Sequence, residues 1–301
     1  MKLRGTWYIL PTPFDDDGAL DTASLARLVD AAVSWGVDGL TAMGVMAEPG
    51  ALAADERALA LAAISDAACG RVPLAVGCSA GTPAMVRALV EQARGFGAVA
   101  AMVAAPTLLR NVDQLPGFYA QAAAFGLPLI IQDEPAATGV VVPVSTLLAC
   151  LEASGARTIK LEDPPTAPKI SRLLAARPNL AVFGGLGGVA ALSELHRGAC
   201  GTMTGFAYPE ILRAVRVHVE QGDLAAAGRL FDRYLPLIQF ESQPIVGLAI
   251  RKEVLRQRGA LASSRTRGLT PSLDRETLDE LDGILGRLGM APDLAPFQPA
   301  V

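Results

Sequence analysis

Residues Arg157 to Pro165 read R-T-I-K-L-E-D-P-P. The 301-residue chain carries 22 arginines but only four lysines, Lys2, Lys160, Lys169 and Lys252, so a surface cation at position 160 would almost always be an arginine. Ile159 and Leu161 flank Lys160 in a short apolar run that stops at an acidic pair and two prolines, the pattern of a buried strand with an abrupt end. Alternation along a strand sends Thr158, Lys160 and Glu162 to one face and Ile159 and Leu161 to the other. An amine and a carboxylate therefore share a face near the strand's C-terminal end.

A free lysine, with a pKa near 10.4, is neutral in only about one molecule in a thousand near pH 7, and burial lowers that pKa by up to about 3–5 units. Once desolvated it can attack a carbonyl carbon and form an imine, with Glu162 placed to move the protons that such chemistry needs. A buried Lys–Glu ion pair that only satisfies itself fits the same stretch equally well.

Outward from this strand, β-leaning apolar runs alternate with Ala/Leu-rich helical patterns from the start of the chain to about residue 222. The runs are Thr6 to Leu10, Asp38 to Met43, Pro73 to Cys78, Val99 to Ala104, Pro128 to Gln132, Thr158 to Glu162, Leu180 to Gly184 and Gly201 to Gly205. Helical patterns follow them at 22–35, 53–69, 82–96, 112–125, 143–154, 166–177, 188–197 and 209–221, each long enough for a right-handed crossover. Eight such units predict an α/β fold, a (β/α)8 TIM barrel spanning 1–222. An open doubly wound sheet would carry G-x-G-x-x-G after its first strand, where this chain has P-T-P-F-D-D-D-G. The cluster Gly184-Gly185-Leu186-Gly187-Gly188 comes after the seventh strand instead, either as an anion-holding loop or as a tight turn. Beyond Gly222 three helical segments, 223–237, 243–258 and 274–288, predict a C-terminal extension over 223–301 packed on the barrel. Its tail from Ala291 to Val301 is expected to be poorly ordered or draped on the surface.

Composition narrows the function. With 51% hydrophobic residues the chain can bury a large core, and a net charge of −4 without a basic run argues against a nucleic-acid surface. Cys69, Cys78, Cys150 and Cys200 form no C-x-x-C pair, and His196 and His218 are the only histidines, so neither a zinc site nor a Ser-His-Asp triad is supported. The cysteines read as reduced core residues of a cytoplasmic protein. No run of about twenty apolar residues could span a membrane, and the N-terminus reaches proline too soon for a signal peptide.

Catalytic groups of a barrel gather at the C-terminal ends of its strands. Those ends read G-V-M-A-E (Gly44 to Glu48), Q-D-E-P-A-A-T-G (Gln132 to Gly139), I-K-L-E-D (Ile159 to Asp163), the glycine cluster and G-T-M-T-G (Gly201 to Gly205). Together with length and element order, this set resembles the dihydrodipicolinate synthase / N-acetylneuraminate lyase family of lysine-imine barrels. The resemblance implies that Lys160 forms the imine with a 2-keto acid, without metal or organic cofactor, and that the chain forms a homo-oligomer, tetrameric as is usual in the family. The family's strand-two loop holds the substrate carboxylate on backbone N–H groups and hydroxyls. Here Gly44 and Glu48 bracket Val45, Met46 and Ala47, so only the backbone donors remain.

After strand five the family reads Y-N-x-P-x-x-T/S-G, with the tyrosine relaying protons. Gln132 takes the tyrosine's position, and an amide is neither acid nor base near pH 7; Ala137 stands where the synthases carry an arginine. The L-2-keto-3-deoxyarabonate dehydratase branch is similar in its V-Q-D-x-P and K-x-E patterns and in G-T-M-T-G-F-A-Y-P-E-I-L. It implies a dehydratase of a 2-keto-3-deoxy sugar acid in which Glu162 takes a C3 proton and helps the C4 hydroxyl to leave. The carboxylate would rest on Val45 and Met46, Gly185 and Thr204 would add to the wall, and Gln132 would orient a substrate hydroxyl. A pyruvate-dependent aldolase or synthase, and a barrel that binds keto acids without turnover, are the alternatives. Tyr8 is expected in the core, Asp133 and Glu134 as solvated rim acids, Asp163 as a loop acid, Arg110 on the surface, and both histidines as structural.

Overall fold

The computed structural model describes residues 3–107, 109–268 and 270–300. Eight parallel strands close into a barrel in chain order: β1 Gly5–Ile9, β2 Gly39–Ala42, β3 Leu74–Gly77, β4 Ala100–Ala104, β5 Leu129–Asp133, β6 Thr158–Leu161, β7 Ala181–Gly184 and β8 Gly201–Thr204. Around them run α1 Thr22–Ser34, α2 Ala54–Ala68, α3 Pro83–Gly95, α4 Leu115–Ala123, the short α5 Pro135–Thr138, α6 Val144–Ser154, α7 Thr166–Ala176, α8 Ala191–His196 and α9 Pro209–Glu220. Three more helices follow: α10 Leu224–Glu241, α11 Gly247–Gln257 and α12 Arg275–Arg287. Among the described residues no helix is long and apolar enough to cross a membrane. The eight-unit alternation thus predicts the architecture correctly.

Two apolar layers divide the strand residues between them. Trp7, Ile9, Ala75, Ala100, Met102, Ile130, Phe183 and Met203 fill the bore, with Trp7 edge-on to Phe183 at 6.1 Å. Their neighbours, among them Tyr8, Leu40, Val103, Ile131, Ile159 and Val182, face the helices. Tyr8 therefore lies outside the bore, edge-on to Trp35. The same alternation puts Lys160 on the inner face. Register then fixes its neighbours, because Gln132 pairs with Lys160 across β5–β6 and Lys160 with Phe183 across β6–β7.

Some boundaries differ from the sequence pattern. β2 stops before Met43, whose positive φ of 56° turns the chain out of the sheet. The helix expected over 188–197 is shortened because a 3₁₀ turn at Leu186–Gly188 precedes it. Helix α10 runs through Pro236 to Glu241, past the expected end at 237. Pro236 removes one donor, yet Leu230, Tyr234, Leu237, Ile238 and Glu241 remain buried along one face, and tertiary packing outweighs the lost bond.

The C-terminal helices are tied to the barrel by buried charge. Arg258 of α11 donates to both Glu210 oxygens, at 2.7 and 3.3 Å, and lies over the Trp35 and Tyr208 rings. Lys252 donates to Glu48 Oε1 at 2.6 Å, and the N–H groups of Arg267 and Gly268 reach Glu48 Oε2 at 2.7 Å each. Glu48 thus serves the loop's anchorage. The tail is draped as expected but firmly held: Trp35 donates to the Leu294 carbonyl, Phe297 N–H to Glu210, and the Phe297 ring packs on Tyr208 and Tyr234.

Removing one partner of a buried ion pair typically costs about 3–5 kcal/mol, because the other charge stays buried alone. Lys252→Met is expected to lower the unfolding free energy by about that amount in urea titrations. A loss below roughly 1 kcal/mol would show that Glu48 does not need this countercharge.

Candidate active site

The inner face of β6 carries Lys160 to the C-terminal end of the barrel, where its side chain is 3% exposed. One residue past the strand, Glu162 keeps the alternation and faces the same way. Its Oε2 accepts from Lys160 Nζ at 2.7 Å and from Gln132 Nε2 at 2.9 Å, while its Oε1 accepts the Leu186 N–H at 3.2 Å. Three donors from three strand ends thus hold one carboxylate in place. Gly185 makes room for it, since a Cβ there would lie 2.3 Å from Glu162 Oε1 and 2.4 Å from its Cγ. The glycine cluster therefore fits closely around this carboxylate. Expected as a wall of the pocket, Gly185 backs Glu162.

Gln132 Nε2 also donates to Glu134 Oε2 at 2.5 Å, so one amide joins two carboxyl groups. Burial and the charge of Glu162 push the Glu134 carboxyl up to about 7, with Lys160 and the Gln132 amide pulling the other way. Glu134 is a correction to the expected solvated rim acid: it is half-buried and lines a cavity of about 270 Å³. Gly44, Val45, Arg57, Met102 and Gln132 are among the other walls of that cavity. Lys160 and Glu162 are not; Glu162 sits one hydrogen bond behind Gln132, and Lys160 one further behind Glu162. Asp133 is likewise corrected from rim to interior, where Lys169 donates to it at 2.6 Å and to Asp163 at 2.7 Å. That lysine, which also reaches the Val142 carbonyl, locks the ends of β5 and β6 together.

The strand-two loop forms a 3₁₀ turn at Val45–Ala47. Its own bonds run from Ala47 N–H to the Gly44 carbonyl and from Glu48 N–H to the Val45 carbonyl. The N–H groups of Val45 and Met46 open the turn unused by it, which suits an anion. Val45 turns its side chain outward at 56% exposure, so only its backbone can serve the site. Thr204 is placed differently from the expectation. Met203 fills the bore, so Thr204 falls on the opposite face, and its hydroxyl accepts the Phe206 N–H. Gly205 comes nearer the mouth, with its Cβ direction meeting Met46 at 3.2 Å.

Sequence reasoning missed two arginines. Arg57 of α2 is buried, donates to Gln92 and to the Gly77 carbonyl, and has no carboxylate partner among the described residues. Arg251 of α11 is also buried, lying against Met46, Ser242 and the glycine cluster, where a Cβ at Gly187 would come within 2.5 Å of its Nη2. Both belong to helices and stand outside the motifs at the strand ends, so the sequence pattern carries no signal for them. Arg110 is exposed, as expected, and His196, expected as structural, is also exposed at the end of α8.

A closed barrel with an inward lysine paired to a carboxylate at its C-terminal mouth defines a site for carbonyl chemistry. The chain belongs to the dihydrodipicolinate synthetase family, which it matches over residues 2–287. It is 32% identical to an L-2-keto-3-deoxyarabonate dehydratase of Azospirillum brasilense, over 95% of this chain and 94% of the relative. It is also 32% identical to a 4-hydroxy-tetrahydrodipicolinate synthase of Acidobacterium capsulatum, over 97% and 99% respectively. The crystal structure of dihydrodipicolinate synthase from Rhodopseudomonas palustris superposes with a TM-score of 0.90 at 34% identity, covering 95% of this chain and 97% of that one.

A further acid lies just behind the site. Glu194 of α8 is fully buried against Gly184, and burial above all, with the charge of Glu162, raises it from 4.5 to about 7, against the pull of the Thr166 hydroxyl. A carboxyl raised in the folded state contributes stability that is complete below its unfolded pKa and is lost as pH rises through the folded one. The stability of the wild type relative to Glu194→Gln is therefore expected to fall by about 2–3 kcal/mol between pH 5 and pH 8. Urea midpoints of both proteins across that range test it; a difference that does not change with pH would contradict it.

Proposed function

We propose that this chain is a Schiff-base-forming hydro-lyase acting on a 2-keto-3-deoxy sugar acid. The observation that carries the proposal is the buried Lys160–Glu162 contact at 2.7 Å, with an amide, Gln132, where a tyrosine would relay protons. Lys160 Nζ attacks the C2 ketone, and loss of water leaves a protonated imine that acts as an electron sink and acidifies C3. Glu162, held by its three donors, lies beside the imine nitrogen and takes the C3 proton. The carboxylate of the substrate is accepted by the N–H groups of Val45 and Met46 at the head of their 3₁₀ turn. In this reading Gly44 leaves that approach open and Gln132 orients a hydroxyl.

The name of the Azospirillum relative supports the dehydratase over the aldolase, and so does the Gln132 substitution, since aldol cleavage must take a proton from the departing hydroxyl carbon's oxygen. The Acidobacterium relative keeps the aldolase or synthase reading in play as the second one.

Borohydride reduction in the presence of pyruvate or substrate is expected to leave a mass adduct on Lys160, and Lys160→Met is expected to abolish both adduct and turnover. Incubation with L-2-keto-3-deoxyarabonate is expected to yield 2-oxoglutarate semialdehyde. Release of pyruvate from a panel of keto acids would favour the aldolase, and a folded protein that traps no keto acid would exclude both enzymes.

A further inference from the structure

Elimination of water from a keto acid needs a base at C3 and an acid at the C4 oxygen. Glu162 suits the first task, because it lies against Lys160 and its two oxygens are already taken by Lys160, Gln132 and the Leu186 N–H. Elsewhere in the family, as the resemblance implies, a tyrosine moves protons here, and Gln132 cannot. Glu134 is two residues further along the same loop. Its carboxyl is bonded to the same Gln132 nitrogen as Glu162, and it is the one acid among the walls of the cavity beside that pair. No cation pairs with it among the described residues, unlike Asp133 and Glu48.

We infer that Glu134 is the catalytic acid that delivers a proton to the departing C4 hydroxyl, an inference that rests on the dehydratase reading. Glu162 removes a C3 proton; the C3–H electron pair becomes the C2–C3 double bond, and the imine π pair moves to nitrogen. That pair then returns, the C3–C4 double bond forms, the C4–O bond breaks, and the oxygen leaves as water with the Glu134 proton. Glu134 is left as the carboxylate and Glu162 as the acid, so no oxidant, reductant or metal enters the balance. The groups facing Glu134 are Glu162 and Lys160 from β6, the Gln132 amide from β5, and Arg57 across the cavity from α2. Since burial holds Glu134 near 7, the acid form declines as pH rises through that value.

The test uses Glu134→Gln and Glu134→Asp in the full chain, with L-2-keto-3-deoxyarabonate and its 4-deoxy-4-fluoro analogue, whose fluoride needs no proton to leave. In Glu134→Gln, kcat for the hydroxy acid is expected to fall by about 100-fold or more. The alkaline limb of the pH–rate profile near 7 should vanish, the borohydride adduct on Lys160 should form as in the wild type, and fluoride release should stay within a few-fold of wild type. Glu134→Asp should retain part of the rate. Unchanged turnover of the hydroxy acid in Glu134→Gln, or equal losses with the hydroxy and fluoro substrates in both variants, would overturn the inference while leaving the dehydratase reading intact. A wild type that dehydrates no keto acid and forms no Lys160 adduct would overturn both.

Discussion

A charged or reactive nitrogen inside a barrel can persist only if its partner is fixed, and here that partner is Glu162. The pair is buried, so each group depends on the other and on further donors to offset its desolvation. Every nearby peculiarity of the chain serves that need. Gln132 faces Lys160 because β5 and β6 pair in that register, and its amide completes the carboxylate's shell. Gly185 is side-chain-free because the carboxylate occupies the space, and Leu186 donates its N–H because the loop passes so close.

The scarcity of lysine has one physical meaning across the fold. Lys160, Lys169 and Lys252 are all buried, and each is paired with acid: Lys160 with Glu162, Lys252 with Glu48, and Lys169 with both Asp133 and Asp163. Lysine's compact ammonium fits such closed sites, whereas among the described residues the exposed Lys/Arg cations are arginines. Lys169 joins the ends of β5 and β6 through Asp133 and Asp163, and Lys252 joins the C-terminal helices to the strand-two loop through Glu48. These two lysines thereby hold the ends of β5 and β6 and the strand-two loop in place.

The helices after the barrel are part of this arrangement. Arg251 lies against Met46 and the glycine cluster, Glu241 accepts the Ala207 N–H from the loop after β8, and Arg267 binds both Glu56 oxygens beside the entrance to α2. Burial raises Glu241 to about 7, with Arg251 and the Ala207 N–H opposing that shift. A barrel's loops are individually weak, and clamping them from outside is a means of pre-organising a site without thickening the barrel itself.

Much of this was legible in the residues alone. Period-two alternation around Lys160 put it and Glu162 on one face, and eight repeats of strand and helix specified closure, because both signals depend only on local geometry. What depends on register and on distant chain was decided by the tertiary structure. Thr204 turned outward because Met203 fills the bore; Asp133 was drawn inward by a lysine 36 residues away; Glu134 became a half-buried acid because Gln132 ties it to Glu162. Arg57 and Arg251 came to the barrel mouth from helices rather than from the strand ends. Sequence therefore determined which residues could share a strand face. The folded chain alone decided which charges were removed from water and which partner each would meet there, since desolvation is a property of what surrounds a group in space.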